Sequence, residues 1–155
     1  MISSYWEEKL EVMNRGDLEA LQVERLRATV AQAAHSPYYK KVFAEQGISA
    51  DSITSLDDLK KLPFITKEDL RANYPFGLAA IPLQQCVRVH SSSGTTGNPT
   101  VVLHSQKDLD AWANQVARCM YMVGLRDTDV FQNTSGYGMF TGGLGFVNQD
   151  RKSVV

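Results

Sequence analysis

Eleven consecutive residues, His90 to Thr100, read His-Ser-Ser-Ser-Gly-Thr-Thr-Gly-Asn-Pro-Thr. Ser91, Ser92, Ser93, Thr95, Thr96 and Thr100 bring hydroxyl donors, and Asn98 adds an amide. Gly94 and Gly97 let main-chain N–H groups approach a ligand with no Cβ in the way. Such a loop is built to hold phosphate oxygens.

The spacing separates this loop from two better-known nucleotide loops. A Walker loop needs four residues between its glycines, then Lys and Ser or Thr. Here only Thr95 and Thr96 separate Gly94 from Gly97, and Asn98-Pro99 follow. A dinucleotide turn joins a strand to a helix. This loop instead lies between Val87-Arg88-Val89 and Thr100-Val101-Val102-Leu103-His104, both of which read as strands. The expected geometry is a mobile hairpin tip over a ligand.

Other chemistry-bearing residues are weaker. His90 and His104 flank the loop fourteen positions apart on different strands, so neither a zinc site nor a triad follows from their spacing. The serine run suggests an amidase-like nucleophile, but no Lys or His at a persuasive spacing would activate it. Gly136 and Gly138 invite a dinucleotide reading that fails, because the third glycine would fall at Thr141. His35, close to a helix end, reads as a capping residue.

The elements that must position the loop divide at about residue 80. Before it, helix signals dominate. Ser4-x-x-Glu7 reads as a capping box, Asp17 as the cap of a second helix, and Leu18, Leu21, Leu26, Val30 and Ala33 as that helix's apolar side. Ser36-Pro37 opens a third helix holding Tyr38, Tyr39, Val42 and Phe43, and Gly47 closes it. Ser55-x-x-Asp58 and Thr66-x-x-Asp69 open two short helices separated by Pro63.

After residue 80 the order is strand, loop, strand, helix, strand. Ser105 caps the helix, Trp112, Val116, Met120 and Val123 recur at helical spacing, and Gly124 ends it. Asp129-Val130-Phe131-Gln132 reads as a buried strand. The order predicts the start of an α/β sheet, with ligands at the carboxyl ends of its strands.

Composition excludes several classes. Sixteen basic and seventeen acidic side chains among 155 residues give a formal charge of −1, so there is no broad electropositive field to attract nucleic acid. No apolar run approaches bilayer length, and the N-terminus lacks the basic start and apolar centre of a signal peptide. A soluble cytoplasmic protein, with no membrane partner, is expected. Cys86 and Cys119 stand alone and read as two reduced, partly buried thiols.

Three segments carry a family resemblance. Ser92-Ser93-Gly94-Thr95-Thr96-Gly97-Asn98-Pro99-Thr100 resembles the phosphate-binding signature of the adenylate-forming enzymes, the acyl-CoA synthetases and their relatives. Leu62 to Arg71 and Asn133 to Gly145 resemble the phenylacetate-CoA ligase branch. The resemblance runs from about Tyr5 to Phe146. Family members are much longer, so the chain reads as an N-terminal piece. It divides into a helical lobe at 1–80, the first strands and helix of the AMP-binding domain at 81–146, and a truncation or non-native tail at 147–155.

The resemblance implies ATP-dependent activation of an aryl acid, phenylacetate foremost, through an acyl-adenylate to a CoA thioester. ATP, Mg²⁺ and CoA would serve the intact enzyme, while this piece alone would be inactive. The loop's donors and Mg²⁺ would stabilise charge shifting onto the β and γ phosphates. A Lys often follows the second glycine in the superfamily, where this chain has Asn98. The branch resemblance therefore makes Lys67 the candidate catalytic cation; spacing alone reads it as a solvated first-turn residue of a capped helix.

In the same way Tyr137, Gly138 and Phe140 become candidates for the acid pocket, since flat rings recognise flat rings. Tight packing of chain against chain is the plain alternative for the glycines there. No residue of this chain is assigned as a metal ligand. A sheet cut after its first strands leaves an edge and an apolar face uncovered, which makes a homodimer a candidate state. The alternative function is a non-catalytic module that grips a nucleotide or other anion.

Overall fold

The computed structural model describes residues 4–92, 99–132 and 134. In chain order its elements are α1 (Glu8–Glu11), α2 (Arg15–Ala33), α3 (Pro37–Gln46), 3₁₀ turns at Ala50–Ser52 and Leu56–Lys61, α4 (Lys67–Ala72), a 3₁₀ turn at Leu83–Gln85, β1 (Cys86–Ser91), β2 (Val101–Ser105) and α5 (Gln106–Met122). They form two compact units, one centred on Met13–Gln84, the other on the segment through Val12, β1, most of β2 and α5. Among the described residues no helix is long and apolar enough to cross a membrane.

In the helical unit, local chemistry sets the boundaries. Ser36 caps α3, its Oγ accepting from the Tyr39 N–H at 3.2 Å and donating to the Ala33 carbonyl at 2.9 Å. One hydroxyl thus links the end of α2 to the start of α3. Pro37 occupies the first turn, where a missing N–H costs nothing. Gly47 ends the helix at φ 65°, the left-handed region open to glycine. Val30, Phe43 and Ile53 form the buried core, ringed by Leu26, Ala33, Ala34, Tyr39, Ile48 and Leu62.

Two capping boxes follow as expected. Thr66 caps α4, with Asp69 answering its N–H at 2.8 Å and its Oγ1 at 2.7 Å. Asp58 does more. Its Oδ2 accepts from the N–H groups of Thr54 at 2.7 Å and Ser55 at 2.8 Å, and its Oδ1 meets Lys61 Nζ at 2.6 Å. Lys61 and then these N–H donors hold its carboxyl below the ordinary carboxylate range.

The second unit is a strand pair with α5 and the N-terminal segment. β1 and β2 are hydrogen-bonded neighbours. Their connection of nine residues is too short for a parallel crossover, so they form an antiparallel hairpin. Ser105 caps α5, its Oγ accepting from Asp108 N–H at 3.2 Å. Trp6 donates to Asn114 at 2.8 Å, Asn114 donates to Glu7 at 2.8 Å, and Glu7 pairs with Arg118, fixing the segment before α1 on α5.

Several sequence expectations need correction. Glu7, not Ser4, precedes α1, and its N–H turns to Glu11 Oε1 at 2.8 Å. Asn14, not Asp17, caps α2; its Oδ1 accepts from the Asp17 N–H at 3.0 Å. The buried side of α5 is Leu109, Ala113 and Ala117, because small alanines let a helix approach its neighbours closely, whereas Val123 is exposed. Cys119 is exposed rather than partly buried.

Residues 129–132 form no strand, and Val130 is 98% exposed. A strand exists only where a neighbour completes its hydrogen bonds, and among the described residues the sheet stops at two strands. Residues 147–155 lie outside the described residues.

Candidate functional site

The hairpin holds the two ends of the hydroxyl-rich loop side by side. Ser91 ends β1 half-buried, Ser92 follows it exposed, and Thr100 is half-buried immediately before β2. Ser93, Gly94, Thr95, Thr96, Gly97 and Asn98 lie outside the described residues, as do Tyr137, Gly138 and Phe140.

Lys67 is the first helical residue of α4 and is exposed. It belongs to the unit made of Met13–Gln84 and Gly94–Val101. Near it, Asp69 is committed to Thr66, whose hydroxyl and N–H hold the carboxyl below its ordinary value. Burial and the Asp69 charge push the Tyr38 hydroxyl up, so it stays a neutral donor.

The spacing argument missed a ring cluster between the strands and α5. His90 on β1 is 2% exposed, and its ring meets His104 on β2 edge-to-face, 5.0 Å between centroids at 82°. Trp112 on α5 packs against both, 5.5 Å from His90 and 5.6 Å from His104. Neither nitrogen of His90 has a hydrogen-bond partner among the described residues. Desolvation first, then the charges of His104 and Arg88, hold His90 below the ordinary imidazole value. His104 is lowered mainly by desolvation, with Asp108 opposing and Arg88 reinforcing.

A usable signal was present in the sequence. In a hairpin, residues equidistant from the loop centre face one another, and His90 and His104 are equidistant from Gly97. Three aromatic rings, from β1, β2 and α5, thus meet in one cluster. Among the described residues no group of three or more His, Cys, Asp or Glu is placed to hold a metal ion.

Comparison with known proteins joins this arrangement to a family. The chain is 49% identical over 139 residues to the phenylacetate-coenzyme A ligase of Aromatoleum evansii, covering 89% of this chain and 32% of that protein. It is 45% identical over 146 residues to the phenylacetate-coenzyme A ligase of Escherichia coli (strain K12), covering 94% and 33%. No family model matches the chain.

Among solved structures, 2-hydroxyisobutyryl-CoA ligase in complex with 2-HIB-AMP and CoA superposes with a TM-score of 0.87 at 29% identity, over 97% of this chain and 33% of that one. The same ligase in its postadenylation state with 2-HIB-AMP gives 0.85 at 27% identity. The chain spans about a third of the length of the curated relatives it matches. The fold is that of an adenylate-forming ligase over this span, as the resemblance of the three motifs implied. In sequence and fold together, the chain is similar to phenylacetate-CoA ligases and to a CoA ligase with a bound adenylate over about a third of their length.

Proposed function

We propose that a full-length protein carrying this segment is an AMP-forming acid-thiol ligase that activates an aryl acid, phenylacetate foremost, and that the segment alone is inactive. The observation that carries this is the 45–49% identity to four phenylacetate-CoA ligases along about nine-tenths of the chain. The neighbouring ligase's complexes with 2-HIB-AMP and CoA support the order of events.

The chemistry answers a plain difficulty. A carboxylate is a poor acyl donor because its leaving group would be oxide. Its oxygen instead attacks the α-phosphorus of ATP, forming a new P–O bond while the α–β bridge breaks and pyrophosphate departs. The CoA sulfur then attacks the acyl carbon and AMP leaves with the bonding electrons.

In this reading the chain's own residues act on the phosphates. Ser91, Ser92, Ser93, Thr95, Thr96 and Thr100, with Asn98 and the amides at Gly94 and Gly97, donate to oxygens on which charge accumulates as pyrophosphate leaves. Lys67 supplies the cation that the loop lacks. Tyr137, Gly138 and Phe140 line the aryl pocket. No residue of this chain is assigned to Mg²⁺, and no step is routed through it.

The test is pyrophosphate release from ATP by the full-length protein, across a panel of aryl and fatty acids. Phenylacetate is expected to give the highest kcat/KM. Fatty acids outperforming aryl acids would overturn the branch assignment, and no release with any acid would favour a non-catalytic anion module.

A further inference from the structure

The ring cluster on β1, β2 and α5 is not used by the proposed reaction. His90 is almost wholly buried, and neither ring nitrogen has a partner among the described residues. Leaving a buried polar atom unpaired costs about 1–3 kcal/mol, so such a group in a folded protein calls for an explanation. Simple packing would be served better by Phe or Leu.

We propose that His90 and His104, closed against Trp112, form a proton-sensitive latch at the base of the hairpin, shut while His90 is neutral and opened when His90 takes a proton. The proposal concerns β1, β2 and α5 and holds whatever the loop binds.

The charges around the pair differ between the two rings. On β1, Arg88 disfavours a second cation at either ring. At the start of α5, Asp108 favours a proton on His104, although its carboxylate already accepts from Ser105 N–H at 2.8 Å and Oγ at 2.7 Å. His104 is half-buried. A first proton therefore goes to His104, where the Trp112 face can hold it as a cation–π partner.

A proton on His90 has no such support. It would put two imidazolium rings 5.0 Å apart, one of them almost without water, and among the described residues no carboxylate acts on that ring. Separation of the rings hydrates both cations and relieves the repulsion. Because Ser91 and Ser92 follow His90 directly, the same movement shifts them.

The sign follows from burial. The ordinary imidazole value is 6.5 and the folded value lies below it, so the closed state is favoured above pH 6.5 and loses ground as pH falls from there.

Two measurements test this. The chain has two tryptophans, so Trp6→Phe leaves Trp112 as its only indole. Its emission is expected to change as the pH is lowered from about 8 to about 5, with a midpoint below 6.5, and the change is expected to vanish in a His90→Gln, Trp6→Phe chain. Constant emission, or the same change without His90, would overturn the proposal.

Should His90→Gln fail to fold by circular dichroism, proton NMR decides. The chain has three histidines, and His35→Ala leaves only the two in question. Both rings are expected to titrate below 6.5 with the Trp112 indole N–H shifting alongside; a ring titrating at or above 6.5, or an unmoved indole, refutes the latch.

Discussion

Ile53 is the side chain on which the helical unit's core closes, and truncating it in two steps tests that geometry. It is 0% exposed, with Val30 and Phe43 completing the buried cluster. Ile53→Val removes one carbon, worth about 0.8 kcal/mol of transfer free energy. The small void left behind brings the loss to about 1 kcal/mol. Ile53→Ala removes three carbons, about 2.4 kcal/mol by transfer alone. Its cavity term would normally carry the loss toward 4 kcal/mol, but Ile48 and Leu62 at the rim are only partly buried and can move inward. The expected loss is about 3 kcal/mol, roughly three times that of the valine variant. Urea unfolding followed by far-UV circular dichroism reads both values. A loss below about 1 kcal/mol for Ile53→Ala would mean that the cluster does not close around this side chain.

Two further outcomes follow from the caps and carboxylates. Ser36→Ala removes the N-cap of α3 and the link to the Ala33 carbonyl, and is expected to lower stability by about 1–2 kcal/mol in the same assay. Asp58 is held below its ordinary value of 3.8, so its contribution is present above pH 3.8 and is lost as pH falls through and below that value. Urea midpoints measured from about pH 7 to about pH 3 should fall more steeply in the parent chain than in Asp58→Asn; parallel curves would remove Asp58 as the cause.

What was legible in the sequence was mostly local. Ser36-Pro37 and Gly47 bound α3 because cap chemistry and left-handed backbone act within a few residues. Ser55, Thr66 and Ser105 each pair with an aspartate three residues on, and each opens a helix or 3₁₀ turn. The α2 cap was harder because Asn14 and Asp17 are both good capping residues. They bond each other, Asn14 Nδ2 donating to Asp17 Oδ2 at 2.6 Å, and only the path of the chain decides which is outside the helix.

Non-local facts were less accessible. Val130 and Phe131 have strand-like side chains, yet pairing depends on a neighbour that their own sequence does not specify. The hydroxyl-rich loop reads as phosphate-binding from its donors and glycines, and its flanking strands read as strands from their apolar residues. The ring cluster depends on hairpin register and on α5 folding back, which spacing along β1 and β2 taken singly does not reveal.

Replacement of Ser92, Thr95 and Thr96 together by alanine in the full-length protein, read as kcat/KM for ATP, bears most directly on the role given to the hydroxyl-rich loop. Each hydrogen bond to a charged phosphate oxygen is worth about 1.5–3 kcal/mol, so kcat/KM for ATP is expected to fall at least roughly tenfold, whether through KM or kcat. An unchanged kcat/KM for ATP would contradict the account.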